Sequence, residues 1–94
     1  MPRTFEHGQI VVTRSVSNEM SKNGEFSMFV FDSLSRHLNG DWGDICEDDK
    51  NANDRACDND DDRIFSSYVF KDYKIWIITE YDRSATTILF PSDY

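Results

Sequence analysis

The 94-residue chain is poor in the features that mark specialised protein classes. It has two cysteines, Cys46 and Cys57, too few for a disulfide scaffold. It has no run of roughly 18 apolar residues, so no transmembrane helix is expected. The opening Met1-Pro2-Arg3-Thr4-Phe5 has no apolar core, so no signal peptide is expected either. Four glycines form no phosphate-binding loop. Bases are scarce, with ten Lys and Arg against eighteen Asp and Glu, a formal net charge of -8. That balance argues against direct binding to nucleic acid or to an anionic membrane, because both need a basic face. A soluble cytoplasmic protein is expected.

What remains is enough for one small domain, residues 1–94. Hydrophobic residues are only 38% of the chain, but aromatics are 14%, and each aromatic ring buries a large area. The charge is concentrated. Residues 41–62 hold Asp41, Asp44, Glu47, Asp48, Asp49, Asp54, Asp58, Asp60, Asp61 and Asp62, opposed by Lys50 and Arg55. This segment accounts for the whole net charge, and the remainder of the chain is neutral.

Local patterns predict an α+β fold. Gln9 to Thr13, centred on Ile10-Val11-Val12, reads as a strand. A turn of helix at Ser17 to Met20 is weakly marked, and Gly24 breaks it. From Glu25 to Leu38, apolar residues at Phe26, Phe29, Val30, Leu34 and Leu38 recur at helical spacing, with Met28 and Phe31 beside them. Arg36 and His37 lie in the last turn, where His37 is expected to cap the helix end, and Asn39-Gly40 supplies a left-handed stop. Glu47 to Cys57 reads as a second, mostly polar helix whose core contacts come from Cys46, Ala56 and Cys57, with Ala52 or Ile45 nearby. Both cysteines are expected as small buried hydrophobes. Asp58 to Asp62 reads as a solvated loop.

Ile64 to Phe70, Lys74 to Glu80 and Thr86 to Phe90 read as strands of an antiparallel meander joined by short turns. Pro91 ends the last of them. The expected architecture is a three- to four-stranded antiparallel sheet covered by two to three helices, with the N-terminal strand at an edge.

His37-Leu38-Asn39-Gly40-Asp41-Trp42-Gly43 and the stretch from Ile75 to Tyr94, with Thr79-Glu80-Tyr81-Asp82-Arg83-Ser84-Ala85-Thr86-Thr87 as its specific part, resemble a family of small bacterial proteins often labelled "plasmid-related". Its members travel on plasmids, phages and integrated elements. The likeness covers about Gly8 to Tyr94. The family has no settled activity, so the resemblance implies a mobile-element context and no catalytic site. The chain departs from the family at Asp60-Asp61-Asp62 and at Lys71-Asp72-Tyr73, where a glycine turn is usual.

Several chemistries can be weighed against the residues. Asp58, Asp60 and Asp62 have the one-three-five spacing of a calcium loop, but Arg63 stands where glycine is needed and Val69 where a bidentate Glu is needed. Cys46, Cys57, His7 and His37 lack a Cys-x-x-Cys pair. On a continuous helix the two cysteines would be about 16 Å apart. No metal or other cofactor is expected. Glu80 and Asp82 beside Arg83 could serve a small metal-dependent enzyme. The bland alternative is a hydrogen-bonded turn with Arg83 paired to a carboxylate, and an enzyme is not expected. Trp76 belongs to the core or the sheet surface. Trp42, flanked by glycines, is either a surface anchor for a partner or a ring packed under its own loop.

The acidic segment carries the functional expectation. Carboxylates held in fixed positions can imitate nucleic-acid phosphates and dock in a basic groove. Asp41, Trp42, Asp44, Glu47, Asp48, Asp49, Asp54, Asp58, Asp60, Asp61 and Asp62 are the expected partner-binding residues. The expected partner is a basic nucleic-acid-binding protein, either a CRISPR effector or a restriction enzyme. The chain would act as a DNA-mimicking anti-CRISPR or anti-restriction inhibitor. The alternative is an interaction module that uses Trp42 and the sheet, with the acids serving only solubility.

Overall fold

A computed structural model describes residues 5–59 and 62–94. The elements run β1 (Gln9–Val12), α1 (Arg14–Lys22), α2 (Gly24–Leu38), α3 (Glu47–Asn59), β2 (Ile64–Phe70), β3 (Tyr73–Thr79), β4 (Ala85–Leu89) and a final 3-10 turn at Pro91–Asp93. The fold is α+β, with four strands in the order β1-β4-β3-β2. The C-terminal meander is antiparallel, as the short turns require. The sheet as a whole is mixed, because β1 lies at one edge parallel to β4. The sequence pattern predicts an antiparallel sheet throughout. Its information on direction came from short turns alone, whereas β1 and β2 are joined through three helices, a connection long enough for a parallel crossover.

The first helix is longer than its sequence pattern suggested. Its nine residues include only two apolar side chains, Val16 and Met20, and only Val16 is fully buried, so few positions mark the helix. It is held from outside: the Tyr73 hydroxyl donates to the Glu19 carboxylate at 2.6 Å. Asn23 separates the two N-terminal helices. Its side-chain oxygen accepts from the backbone N–H groups of Glu25 and Phe26 at 3.1 and 3.2 Å, capping α2. Gly24 is then the first residue of α2.

Along α2, Phe26, Val30, Ser33 and His37 form the buried stripe. Phe26 and Val30 pack on the sheet face made by Tyr68, Ile75, Ile77 and Ile88, together with Val16 of α1. Met28 and Phe31 point to solvent. The second apolar cluster is Trp42, Ala56 and Ile64, with Phe5, Ile45 and Cys57 packed against it. It joins α3 to the β2 side of the sheet.

The opposite sheet face carries Phe65, Ser67 and Val69 of β2, paired across to Ile78, Trp76 and Lys74 of β3. On this face Ile78 and Leu89 are buried, Phe65 and Trp76 are half-buried, and Val69 is exposed. The C-terminal Tyr94 ring contacts Trp76 edge-on.

Candidate partner-binding surface

The acidic segment is built onto the free edge of β2. The chain from Trp42 to Asp44 pairs with that edge: Ser67 N–H donates to the Trp42 carbonyl at 3.3 Å, and Asp44 N–H donates to the Ser67 carbonyl at 2.7 Å. Gly43 lies between them at φ 72°. A Cβ there would collide with the Ser67 carbonyl and the Tyr68 ring, so only glycine fits this approach.

Two residues further along the edge, Asn53 of α3 completes the covering. Its amide donates to the Phe65 carbonyl at 2.5 Å and its oxygen accepts from Phe65 N–H at 3.1 Å. One side chain thus replaces a neighbouring strand, and the edge is closed to foreign pairing at these positions.

Trp42 resolves in favour of the packed alternative. It is 4% exposed and its ring lies edge-on to His37 and tilted against Phe5. Its indole N–H donates to the Asp54 carboxylate at 3.0 Å. Trp42 therefore leaves the set of surface anchors, because a ring filling the second core cluster has no face for a partner. Asp54 holds that indole, so its carboxylate has a structural task.

Asp41 also has a structural task. It accepts from Arg36 Nε at 2.8 Å and Nη2 at 3.2 Å, and from Gly43 N–H at 3.2 Å. The Arg36 guanidinium holds the Asp41 carboxyl below the usual carboxylate range. Asp44, Glu47, Asp48, Asp49, Asp58 and Asp62 are exposed. Asp60 and Asp61 lie outside the described residues. Glu47, Asp54 and Asp58 fall seven and four residues apart on α3, which places them in one stripe along the helix.

Arg83 gathers backbone carbonyls. Its Nη2 donates to Ala56 at 2.9 Å, and Nη1 donates to Asp62 at 2.6 Å, Glu80 at 3.1 Å and Tyr81 at 3.2 Å. Arg83 is 6% exposed and sits at φ 61°. A buried cation thus ties the last turns of α3 and the start of β2 to the β3–β4 turn, and it favours the negative end of the α3 dipole. No pattern in the sequence distinguished this role from an ordinary turn arginine.

His37 differs from its expected place as well. It lies in the last turn of α2, but its imidazole enters the core rather than capping the helix. Nδ1 is 2.6 Å from Ser66 Oγ and Nε2 is 2.9 Å from Thr79 Oγ1. Thr79 bonds on to Thr86 at 2.7 Å, and Thr86 donates to the His7 carbonyl at 2.8 Å. Burial lowers the His37 pKa to about 3, with His7 adding to the shift, so the ring is neutral at pH 7. Cys46 is exposed and Cys57 half-buried, so Cys46 does not act as a buried hydrophobe. It precedes α3, and its carbonyl accepts the Lys50 N–H at 3.0 Å.

The Glu80–Asp82 pair forms a turn. Arg83 N–H donates to the Glu80 carbonyl at 2.9 Å and Ser84 N–H donates to the Asp82 carboxylate at 3.0 Å. Hydrogen bonds from Ser84 lower the Asp82 pKa. Among the described residues, no three His, Cys, Asp or Glu side chains gather where they could share a metal ion. No helix of the described residues is long and apolar enough to cross a membrane.

A cleft of about 410 Å³ opens beside α3 on the sheet face away from α1 and α2. Phe65, Trp76 and Tyr94 line it, with Asp49, Asp62 and Arg63 among its polar residues. It was not anticipated from the sequence, because its rings come from three separate elements. Family models, curated proteins and solved structures yield no match to this chain.

Proposed function

We propose that this chain is a mobile-element binding protein that occupies the basic, nucleic-acid-contacting surface of a host defence protein. It would act in the bacterial cytoplasm as an anti-CRISPR or anti-restriction inhibitor, by steric and electrostatic competition with nucleic acid. The observation that carries the reading is an acidic helix pinned at three points. Asn53 grips β2, Trp42 grips Asp54, and Arg83 grips Ala56 and the Asp62 carbonyl. The exposed carboxylates of Glu47, Asp48, Asp49, Asp58 and Asp62 are thereby presented from an anchored support.

A charge array presented this way docks with little loss of conformational freedom, which favours affinity. It also steers encounter with a positive groove. The thirteen residues of α3 span about 20 Å, a length over which duplex DNA carries roughly twelve phosphate charges. The helix holds fewer, and Lys50 and Arg55 oppose them, so the mimicry is partial.

The test is capture of CRISPR effectors and restriction enzymes by tagged protein at about 50 and 300 mM salt, a range over which phosphate-like contacts weaken strongly. The expected result is capture of a nucleic-acid-binding protein at low salt only, displaced by DNA or RNA. It should be lost when Glu47, Asp48, Asp49, Asp58 and Asp62 are all changed to Lys. Capture indifferent to salt, nucleic acid and these reversals would overturn the reading and favour an interaction module acting through the open sheet face. With Trp42 in the core, the half-buried Trp76 is the ring such a module would use.

A further inference from the structure

We infer that the cleft between α3 and the sheet is an aromatic box for an arginine side chain projecting from the basic partner. The inference rests on the functional reading above and adds the anchor point that reading lacks.

The rings set the geometry. Phe65 stands at 70° to Trp76 with centroids 5.2 Å apart, and Tyr94 stands at 74° to Trp76 at 5.8 Å. Trp76 is therefore met by two near-perpendicular rings, which makes three walls of a box. Each wall has its own support. Trp76 lies within β3, flanked by β2 and β4. Phe65 is held at its backbone by Asn53 on both N–H and carbonyl. Tyr94 receives a hydrogen bond on its hydroxyl from Arg63 Nη1 at 3.0 Å.

The charge at the mouth selects the occupant. Asp49 from the first turn of α3 and Asp62 from the residues before β2 line the cleft as carboxylates, against Arg63, the one cation among the described lining residues. Arg63 is engaged with the Tyr94 hydroxyl, so it closes a wall while offsetting one of the two acids. Aromatic faces attract cations, tryptophan most strongly. A planar guanidinium can stack on a ring while donating to carboxylates at its edge, which an ammonium cannot do as well. The volume of about 410 Å³ lies at the small end of ligand clefts. A nucleotide has suitable rings but the wrong charge for Asp49 and Asp62.

The test uses the intact chain and two probes, hexa-arginine amide and hexa-lysine amide. Trp42 is buried and Trp76 half-buried, so acrylamide quenching reports mainly on Trp76. Hexa-arginine is expected to bind at low salt and to reduce quenching by about twofold or more. It should bind about fivefold more tightly than hexa-lysine, the weight of a stacked guanidinium. Asp62→Asn and Asp49→Asn are each expected to weaken hexa-arginine about tenfold, and Phe65→Leu to remove the preference for arginine over lysine.

Binding of both peptides with unchanged Trp76 quenching and no preference would overturn the box while leaving the acidic-surface reading in place. Failure of both peptides to bind at low salt would overturn the two together. The Asn variants change exposed carboxylates, so loss of folding does not confuse their outcome.

Discussion

The Arg83 guanidinium reaches the Ala56 carbonyl at 2.9 Å across 27 positions of sequence. This bond links the β3–β4 turn to the last turns of the acidic helix. Together with the bond to the Asp62 carbonyl at 2.6 Å, it makes Arg83 the residue that orients the acidic segment from behind. Arg83→Ala is expected to cost about 2–4 kcal/mol, since hydrogen bonds to charged groups contribute about 1.5–3 kcal/mol each and the carbonyls lose their donor. Urea denaturation measures the loss. Partner binding should weaken as well, although Arg83 itself is buried. A variant with unchanged stability would show that the clamp is incidental.

Trp42 separates packing from docking. Trp42→Ala empties the centre of the second core cluster and removes the donor to Asp54. Truncations of this size cost about 3–5 kcal/mol. Trp42→Phe keeps most of the ring volume and is expected to recover most of that loss. If Trp42→Ala kept full stability but lost the partner, Trp42 would return to the surface as an anchor.

His37 makes stability depend on pH. Its folded-state pKa of about 3 lies below the ordinary histidine value near 6.5, so the unfolded chain binds the extra proton first. The neutral ring's contribution is whole above pH 6.5 and is lost as pH falls from 6.5 towards 3. By pH 5 the loss is about 2 kcal/mol. Denaturation midpoints at pH 7.5 and 5 measure it. His37→Gln, which keeps hydrogen-bonding capacity towards Ser66 and Thr79 without a titrating ring, should flatten the profile. An equally steep profile in that variant would assign the dependence to other groups.

Asn53 tests the closed edge. Asn53→Ala removes both bonds to Phe65 and is expected to cost about 1–3 kcal/mol by leaving buried backbone groups without partners. Amide exchange at Phe65 should accelerate in the variant relative to that at Ile77. Unchanged exchange at Phe65 would mean that the side chain does not secure this edge.

The cysteines give an independent check on the start of α3. Cys46 is exposed and Cys57 half-buried. One thiol per chain should react quickly with a thiol reagent under native conditions and one slowly. Cys46→Ser should remove the fast phase. Two equal phases would contradict the burial difference across this segment.

The sequence by itself determined the elements, because they follow from local periodicity and short-range turn chemistry. The apolar spacing from Phe26 to Leu38, the β-branched runs from Ile64 onward and the short links between them specify α2 and the meander. The segregation of charge into residues 41–62 is likewise a property of the chain alone. What the tertiary structure decided are the relationships between residues far apart in sequence. The direction of β1 depends on a crossover through three helices. The inward turn of Trp42, the neutral His37 in the core and the four carbonyls around Arg83 depend on partners up to 42 positions away. Folding also gave two of the acids structural tasks, Asp41 bonded to Arg36 five positions away and Asp54 to the Trp42 indole. A carboxylate's formal charge is set by its residue type, but whether that charge faces an arginine, an indole or water is set by what folding brings beside it.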